Sequence, residues 1–253
     1  MEIKKCLYVT DAPAASARLE ALLPLCRLGL KEILCIVPAR GDGGQDKAFQ
    51  DRGVKCETLV VDNLTAAGIL SKARETSASL IAADLKRVEG RFLNRSLARG
   101  LIRGSRIPIL VAPDKDAQRT GNEGGDFFNS GVLAVEREKM PENLLHFIME
   151  LRGIIKELEI VNVIDRKLSI RDMIGIKDLL EETREDFMEK GTDAEVHIYA
   201  GKPADEILLA VRDYGVKAII MGAGQPSRMK NFFYRGCSFR VAEKTVVPTF
   251  IVP

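Results

Sequence analysis

Apolar positions along the chain fall into short unbroken runs, separated by stretches with helical spacing. The first run, Cys6-Leu7-Tyr8-Val9-Thr10, ends at Asp11. Leu19, Leu22, Leu23 and Leu25 then form the apolar face of a helix predicted over Ala12 to Leu30, kinked or divided at Pro24. Glu32 to Val37 and Cys56 to Val61 read as strands, with a short helix at Gln45 to Arg52 between them. Leu64 to Ser77 has helical spacing, Ser79 to Ala83 is a strand, Leu93 to Ile102 a helix and Pro108 to Ala112 a fifth strand. Strands apolar along their whole length are those buried on both faces of a parallel sheet.

The pattern stops at Pro113 and restarts after Gly131. The segment between, with Asp114, Lys115, Asp116, Gly121, Asn122, Gly124 and Gly125, has the composition of a linker. Phe127 and Phe128 are its apolar exception and are expected to pack on a domain surface. Beyond it come a strand at Val132 to Val135, ending at Glu136, and a helix over Pro141 to Leu158. A strand at Ile160 to Ile164 and a long charged helix at Ile170 to Lys190 follow. Glu195 to Tyr199 is a strand, and the helix from Pro203 to Tyr214 opens on a proline, where the missing N–H is harmless. The strand Ala218 to Met221, a glycine-rich loop, a helix through Phe239, Val241 and Ala242, and the strand Val246 to Val252 close the chain.

Strands alternating with helices predict an α/β fold with parallel sheets. The two halves also resemble each other. Asn63 to Leu70 and Gly201 to Leu208 hold the same place, and each is followed at the same distance by an apolar strand, which indicates a tandem duplication. The expected organisation is two doubly wound five-stranded parallel-sheet domains, 1–113 and 131–253, joined by a linker at 114–130. Their sheets are expected to be separate, with the last strands, Ile109 to Ala112 and Thr249 to Val252, lying against each other.

Composition narrows the function classes. The 253 residues carry 38 Lys and Arg against 36 Asp and Glu, a net charge of +2, so no strong field directs the chain to nucleic acid. No apolar stretch is long enough to span a bilayer, and the N-terminus lacks a signal-peptide core, so a cytoplasmic location is expected. The five cysteines form no C-x-x-C pair, and all five read as reduced thiols. His146 and His197 stand far apart, which leaves metal sites and histidine-based triads poorly supplied. Lys86, Arg87, Arg91, Arg95, Arg99, Arg103 and Arg106 form a basic patch, read as a solvated face.

The chemistry concentrates in the closing stretch. After the strand ending at Met221, Gly222 and Gly224 open a loop carrying Ser227 and Arg228, which closes on Gly236-Cys237-Ser238 at a helix start. Backbone N–H groups at such a start hold anions, and glycines let phosphate approach the backbone. The same glycines also satisfy ordinary turn geometry, so both readings stand on these residues alone.

Taken together, Gly201-Lys202-Pro203-Ala204-Asp205-Glu206-Ile207-Leu208, Gly215 to Gly222, Phe239 to Lys244 and Val247 to Val252 resemble the universal stress protein family, here as two tandem copies. The resemblance implies a doubly wound, Rossmann-like fold of the adenine nucleotide α-hydrolase type, and pairing of two units through their last strands. The nucleotide-binding branch carries G-x-x-G, nine residues, then G-S or G-T. In the second half Gly222 is kept, Gln225 stands in place of the second glycine, and Gly236, followed by Cys237 and Ser238, fits the third with a one-residue shift. Glu136 replaces the family's Asp near the adenine.

In the first half, counting back from Pro108 puts Ala82, Leu85 and Arg95 at the glycine positions. Counting forward from the preceding helix gives Asp84, Arg87 and Leu97. Only Ser96 and Asp11 match the family there, and Leu85 and Arg95 are expected to fill the triphosphate's space. The resemblance thus leaves room for ATP or AMP in the C-terminal half only, at Glu136, Gly222, Gly224, Ser227, Arg228, Gly236 and Ser238, with no other cofactor.

Three function classes follow. They are a stress-response regulatory module acting through an unidentified protein partner, an ATP or AMP sensor using the second half, and a nucleotide hydrolase. No catalytic residue, metal set, specific nucleic acid or membrane span is assigned. The halves are expected to pair internally, an arrangement compatible with a homodimer.

Overall fold

The computed structural model describes residues 2–10, 19–39, 47–85, 87–88, 91–92, 94–112, 128–135, 140–164, 167–223 and 236–253. The first half contributes strands β1 (Lys5–Thr10), β2 (Glu32–Pro38), β3 (Lys55–Val61) and β4 (Leu80–Asp84), a two-residue hairpin β5 (Arg87–Val88) and β6 (Arg91–Phe92), and β7 (Ile109–Val111). Its helices are a 3-10 helix (Glu20–Leu28), α1 (Lys47–Gln50), α2 (Ala66–Glu75) and α3 (Arg95–Gly104). The second half supplies β8 (Ser130–Val135), β9 (Glu157–Ile164), β10 (Asp193–Ala200), β11 (Ala218–Gly222) and β12 (Thr249–Val252). Between these strands run α4 (Glu142–Leu151), α5 (Ile170–Glu189), α6 (Pro203–Tyr214) and α7 (Cys237–Lys244).

Each half is a parallel five-stranded unit, with strand orders β3-β2-β1-β4-β7 and β10-β9-β8-β11-β12. The topology is the same in both, as the duplication predicts. The two sheets are not separate, however. The last strands pair antiparallel, Thr249 with Val111, Phe250 with Leu110 and Ile251 with Ile109, and fuse the halves into one ten-stranded sheet. The expected meeting of the last strands is therefore present, and the expectation of two distinct sheets is corrected. An edge strand carries a row of unpaired N–H and C=O groups, and edge-to-edge pairing satisfies both rows at once.

Strand periodicity explains the two cores. In β1, Cys6 and Tyr8 face the layer built on the 3-10 helix, α1, α4 and α5, while Leu7 and Val9 face the layer of α2, α3, α6 and α7. Both sets are buried, which is why the strands read as unbroken apolar runs. Phe128 is in the core rather than on a domain surface. Its ring lies 5.5 Å from Phe250 of the junction strand, and Phe147 lies 5.5 Å from the same ring.

Other elements differ from the sequence pattern. The helix predicted to Leu158 stops at Leu151, because Glu157 and Leu158 are taken into the β8–β9 ladder. Gly153, in the turn between them, approaches the first half closely: a Cβ there would meet Leu28 Cδ2 at 2.9 Å. The stretch containing Pro24 is a 3-10 helix rather than an α-helix, in whose interior the proline ring would clash with the carbonyl four residues earlier.

Candidate functional site

The hydrogen-bond register fixes which residues of the two halves are equivalent. Ile81 N–H donates to Pro108 C=O, and Ile219 N–H to Pro248 C=O. Cys6 pairs with Leu80, and Gly131 with Ala218. Asp84 therefore stands where Gly222 stands, which decides between the two counts made from sequence. The turns after α3 and α7 match as well. Ser105 Oγ donates to Ile107 C=O and accepts from Ile107 N–H, and Thr245 Oγ1 does the same with Val247. Ala98 is then the counterpart of Ser238, and Arg103 that of Glu243.

In the first half Asp84 takes the place of Gly222. Asp84 is fully buried, and its Oδ2 accepts from Tyr8 OH at 3.1 Å and Thr10 Oγ1 at 3.4 Å. Leu85, expected to fill the triphosphate's space, lies in the apolar cluster with Phe92 and Leu97. Arg95 is drawn to the other half, where its guanidinium pairs with the buried Glu243 carboxylate.

In the second half the equivalent place is open at its described residues. Gly222 ends β11 and is followed by Ala223. Gly236 precedes α7 with no side-chain cap, and a Cβ on it would meet no atom within 4 Å. Ser238 is buried in the first turn of α7. The unpaired N–H groups of a helix start are donors aimed at an incoming anion. Glu136, Gly224, Ser227 and Arg228 lie outside the described residues, as does Asp11. Of the proposed ligand set, the structure thus places Gly222, Gly236 and Ser238, and the last two share one cleft.

That cleft has a volume of about 1180 Å³, and Ala223, Gly236 and Ser238 form part of its wall. Its other wall comes from the first half: Arg91, Arg95, Arg99, Arg103 and Arg106. The basic patch read as a solvated face is one side of an inter-half cleft. α3 carries the arginines at every fourth residue, 95, 99 and 103, so they share a helix face. Arg95 and Arg99 lie over the Phe239 ring of α7, at 5.1 Å and 4.8 Å from its centroid. Two cations of the second half on this cleft, Arg240 and Lys244, are compensated by Asp205 at 3.2 Å and 3.8 Å.

Two arrangements were not legible from sequence. Asn162 is fully buried at the end of β9. Its Nδ2 donates to Val135 C=O at 3.1 Å, while its Oδ1 has no partner. The position lies beside the end of β8, immediately before Glu136, and its first-half counterpart is the apolar Val37. The visible signal was one polar residue inside the run Ile160 to Ile164. The second arrangement groups Glu159, Glu195 and His197 on β9 and β10, with potential ligand atoms within 4.8 Å of one another. His197 Nε2 meets Glu159 at 2.6 Å and its Nδ1 meets Tyr214 OH at 2.9 Å, so both ring nitrogens are already engaged by the protein.

The five cysteines are reduced thiols, and Cys6, Cys35 and Cys237 are buried. Burial pushes the Cys6 thiol well above its ordinary range, so it is held protonated. Among the described residues no helix is long and apolar enough to cross a membrane.

Comparison with known proteins agrees with this geometry. Residues 138–253 match the model of the universal stress protein family. The universal stress protein YxiE of Bacillus subtilis is 31% identical over 107 residues, which is 42% of this chain and 61% of that protein. A crystal structure of a universal stress protein from Archaeoglobus fulgidus superposes with a TM-score of 0.70 at 16% identity, covering 98% of this chain and 95% of the other. A universal stress protein structure from Pseudomonas aeruginosa gives a TM-score of 0.71 at 10% identity, covering 99% and 93%. The structural likenesses show that the fold extends over both halves, and the sequence matches show that residues 138–253 are a domain of the universal stress protein family.

Proposed function

We propose that the chain is a stress-response regulatory protein in which two universal-stress-type units, 1–113 and 131–253 with a linker at 114–130, carry a single adenine-nucleotide site in the second unit. The observation behind this reading is the Asp84–Gly222 equivalence. One half has a buried, hydrogen-bonded carboxylate where the other has a glycine. A phosphate brought to Asp84 meets a buried carboxyl side chain, whereas at Gly222 and Gly236 no side chain intervenes. In open α/β sheets ligands bind at the carboxyl ends of the strands, where the strand order reverses. Here that point lies between β8 and β11, beside Asn162 and the end of β8, and Glu136 follows β8 in sequence. Ser227 and Arg228, with Gly224, complete the proposed phosphate loop. Output passes to a protein partner rather than to a reaction, and the reduced thiols fit a cytoplasmic setting.

Titration calorimetry with ATP and AMP on the intact chain tests this reading. Gly236→Val is tolerated by the fold, since nothing lies within 4 Å of the added Cβ, so lost binding reports on the ligand. The expected result is one nucleotide per chain, lost in Gly236→Val, weakened in Ser238→Ala and unchanged in Asp84→Asn. Two equivalent sites would refute the one-sided assignment. No binding at millimolar nucleotide would remove the nucleotide from the proposal and leave the partner-binding module.

A further inference from the structure

The first half has Asp84 in the place of Gly222, yet it contributes cations to the cleft that holds the start of α7. α3 and α7 run past each other in opposite senses: Arg95 at the start of α3 pairs with Glu243 near the end of α7. The end of α3 and the residues after it share a cleft with the start of α7. Arg103, Ser105 and Arg106 line the same cleft as Gly236, Ser238 and Ala223.

The two ends of this pseudo-symmetric contact differ in sign. At the first half's loop, the α7 residue facing Arg95 is Glu243, which neutralises it. At the second half's loop, the residue equivalent to Glu243 is Arg103. No described carboxylate lies within ion-pairing distance of Arg99, Arg103 or Arg106, and Arg103 and Arg106 are both exposed to the cleft. Uncompensated guanidinium groups facing a helix start, across a cleft with a volume of about 1180 Å³, are arranged for an extended anion with charge along its length. A single phosphate at the α7 start offers those guanidinium groups little charge, whereas a polyphosphate carries further anionic oxygens for them.

We infer that the inter-half cleft is a polyphosphate site, in which Arg103 and Arg106 of the first half select a nucleoside triphosphate over a monophosphate. The inference rests on the nucleotide reading of the second half for the identity of the base-bearing end. It gives the first half a role: the end of its last helix and the turn after it supply the cations in cis.

The test is calorimetry on the intact chain with three probes, ATP, AMP and inorganic tripolyphosphate, at two salt concentrations. The variants are Arg103→Ala/Arg106→Ala and, as a surface-arginine control on the opposite layer, Arg171→Ala. Circular dichroism melts check that each variant is folded. The wild type is expected to bind ATP at least about tenfold more tightly than AMP. The double variant should lose about tenfold or more in ATP affinity and all tripolyphosphate binding, with AMP changed by less than about threefold. Arg171→Ala should match the wild type. An unchanged ATP affinity, or equal weakening of ATP and AMP, would overturn the inference while leaving the nucleotide reading intact. Arginine-dependent tripolyphosphate binding without binding of either nucleotide would support the cleft and remove the nucleotide reading. Failure of all three probes would overturn both.

Discussion

The ion pair between Arg95 and Glu243 is the polar link that holds the closed end of the cleft together, and its two sides are unequal. The Glu243 side chain is 7% exposed and that of Arg95 is 42% exposed. Removing the guanidinium strands a buried carboxylate, whereas removing the carboxylate's charge leaves a guanidinium that water can reach. Breaking a fully buried pair costs about 3–5 kcal/mol, and the exposure of Arg95 reduces this to about 2–3 kcal/mol for Arg95→Met, which keeps most of the stem on Phe239. Glu243→Gln keeps the shape and an acceptor, and should cost about 1 kcal/mol.

The double variant should recover part of the loss, because neither charge is then stranded, with a coupling of about 1–2 kcal/mol. The chain contains no tryptophan, so urea unfolding is best followed by far-ultraviolet circular dichroism. The continuous sheet predicts one transition rather than two. A cost for Glu243→Gln equal to or above that for Arg95→Met, or a coupling below about 0.5 kcal/mol, would show that the pair is solvated and does not join the halves.

Two further outcomes follow from the packing. Thr249 of the junction strand is fully buried and its Oγ1 has no partner, so Thr249→Val should stabilise the chain by about 1 kcal/mol, read as a raised urea midpoint with unchanged slope. A Cβ at Gly100 would lie 2.5 Å from Ala66 Cβ, where α2 and α3 touch. Gly100→Ala should therefore cost about 1–3 kcal/mol despite alanine's better helix propensity, and Ala66→Gly in the same chain should restore part of it.

The order of strands and helices, the duplication and the parallel character of each half were legible in the residues. Apolar runs such as Cys6 to Thr10 and Ala218 to Met221 have one explanation, burial on both faces, and that requires no knowledge of partners far along the chain. The glycines at 222 and 236 likewise marked the loop by local chemistry alone. Element ends were less legible. Glu157 and Leu158 continue a helical pattern, and only pairing with β8 makes them strand.

What the sequence by itself could not decide is where distant segments meet. Ala82 and Asp84 were equal candidates for the place of Gly222 until the β1–β4 and β8–β11 ladders set the register. The arginines on α3 look like any solvated face, because four-residue spacing says which side of a helix they share and not what lies opposite. The antiparallel pairing of β7 with β12 supplies the opposite wall. It turns one half's helix past the other's, so that the end of α3 shares a cleft with the start of α7. That meeting is a property of the strand edges, whose hydrogen bonds are satisfied by backbone irrespective of side chain. Hydrophobic pattern carries no record of it, and the cleft therefore exists only in the tertiary structure.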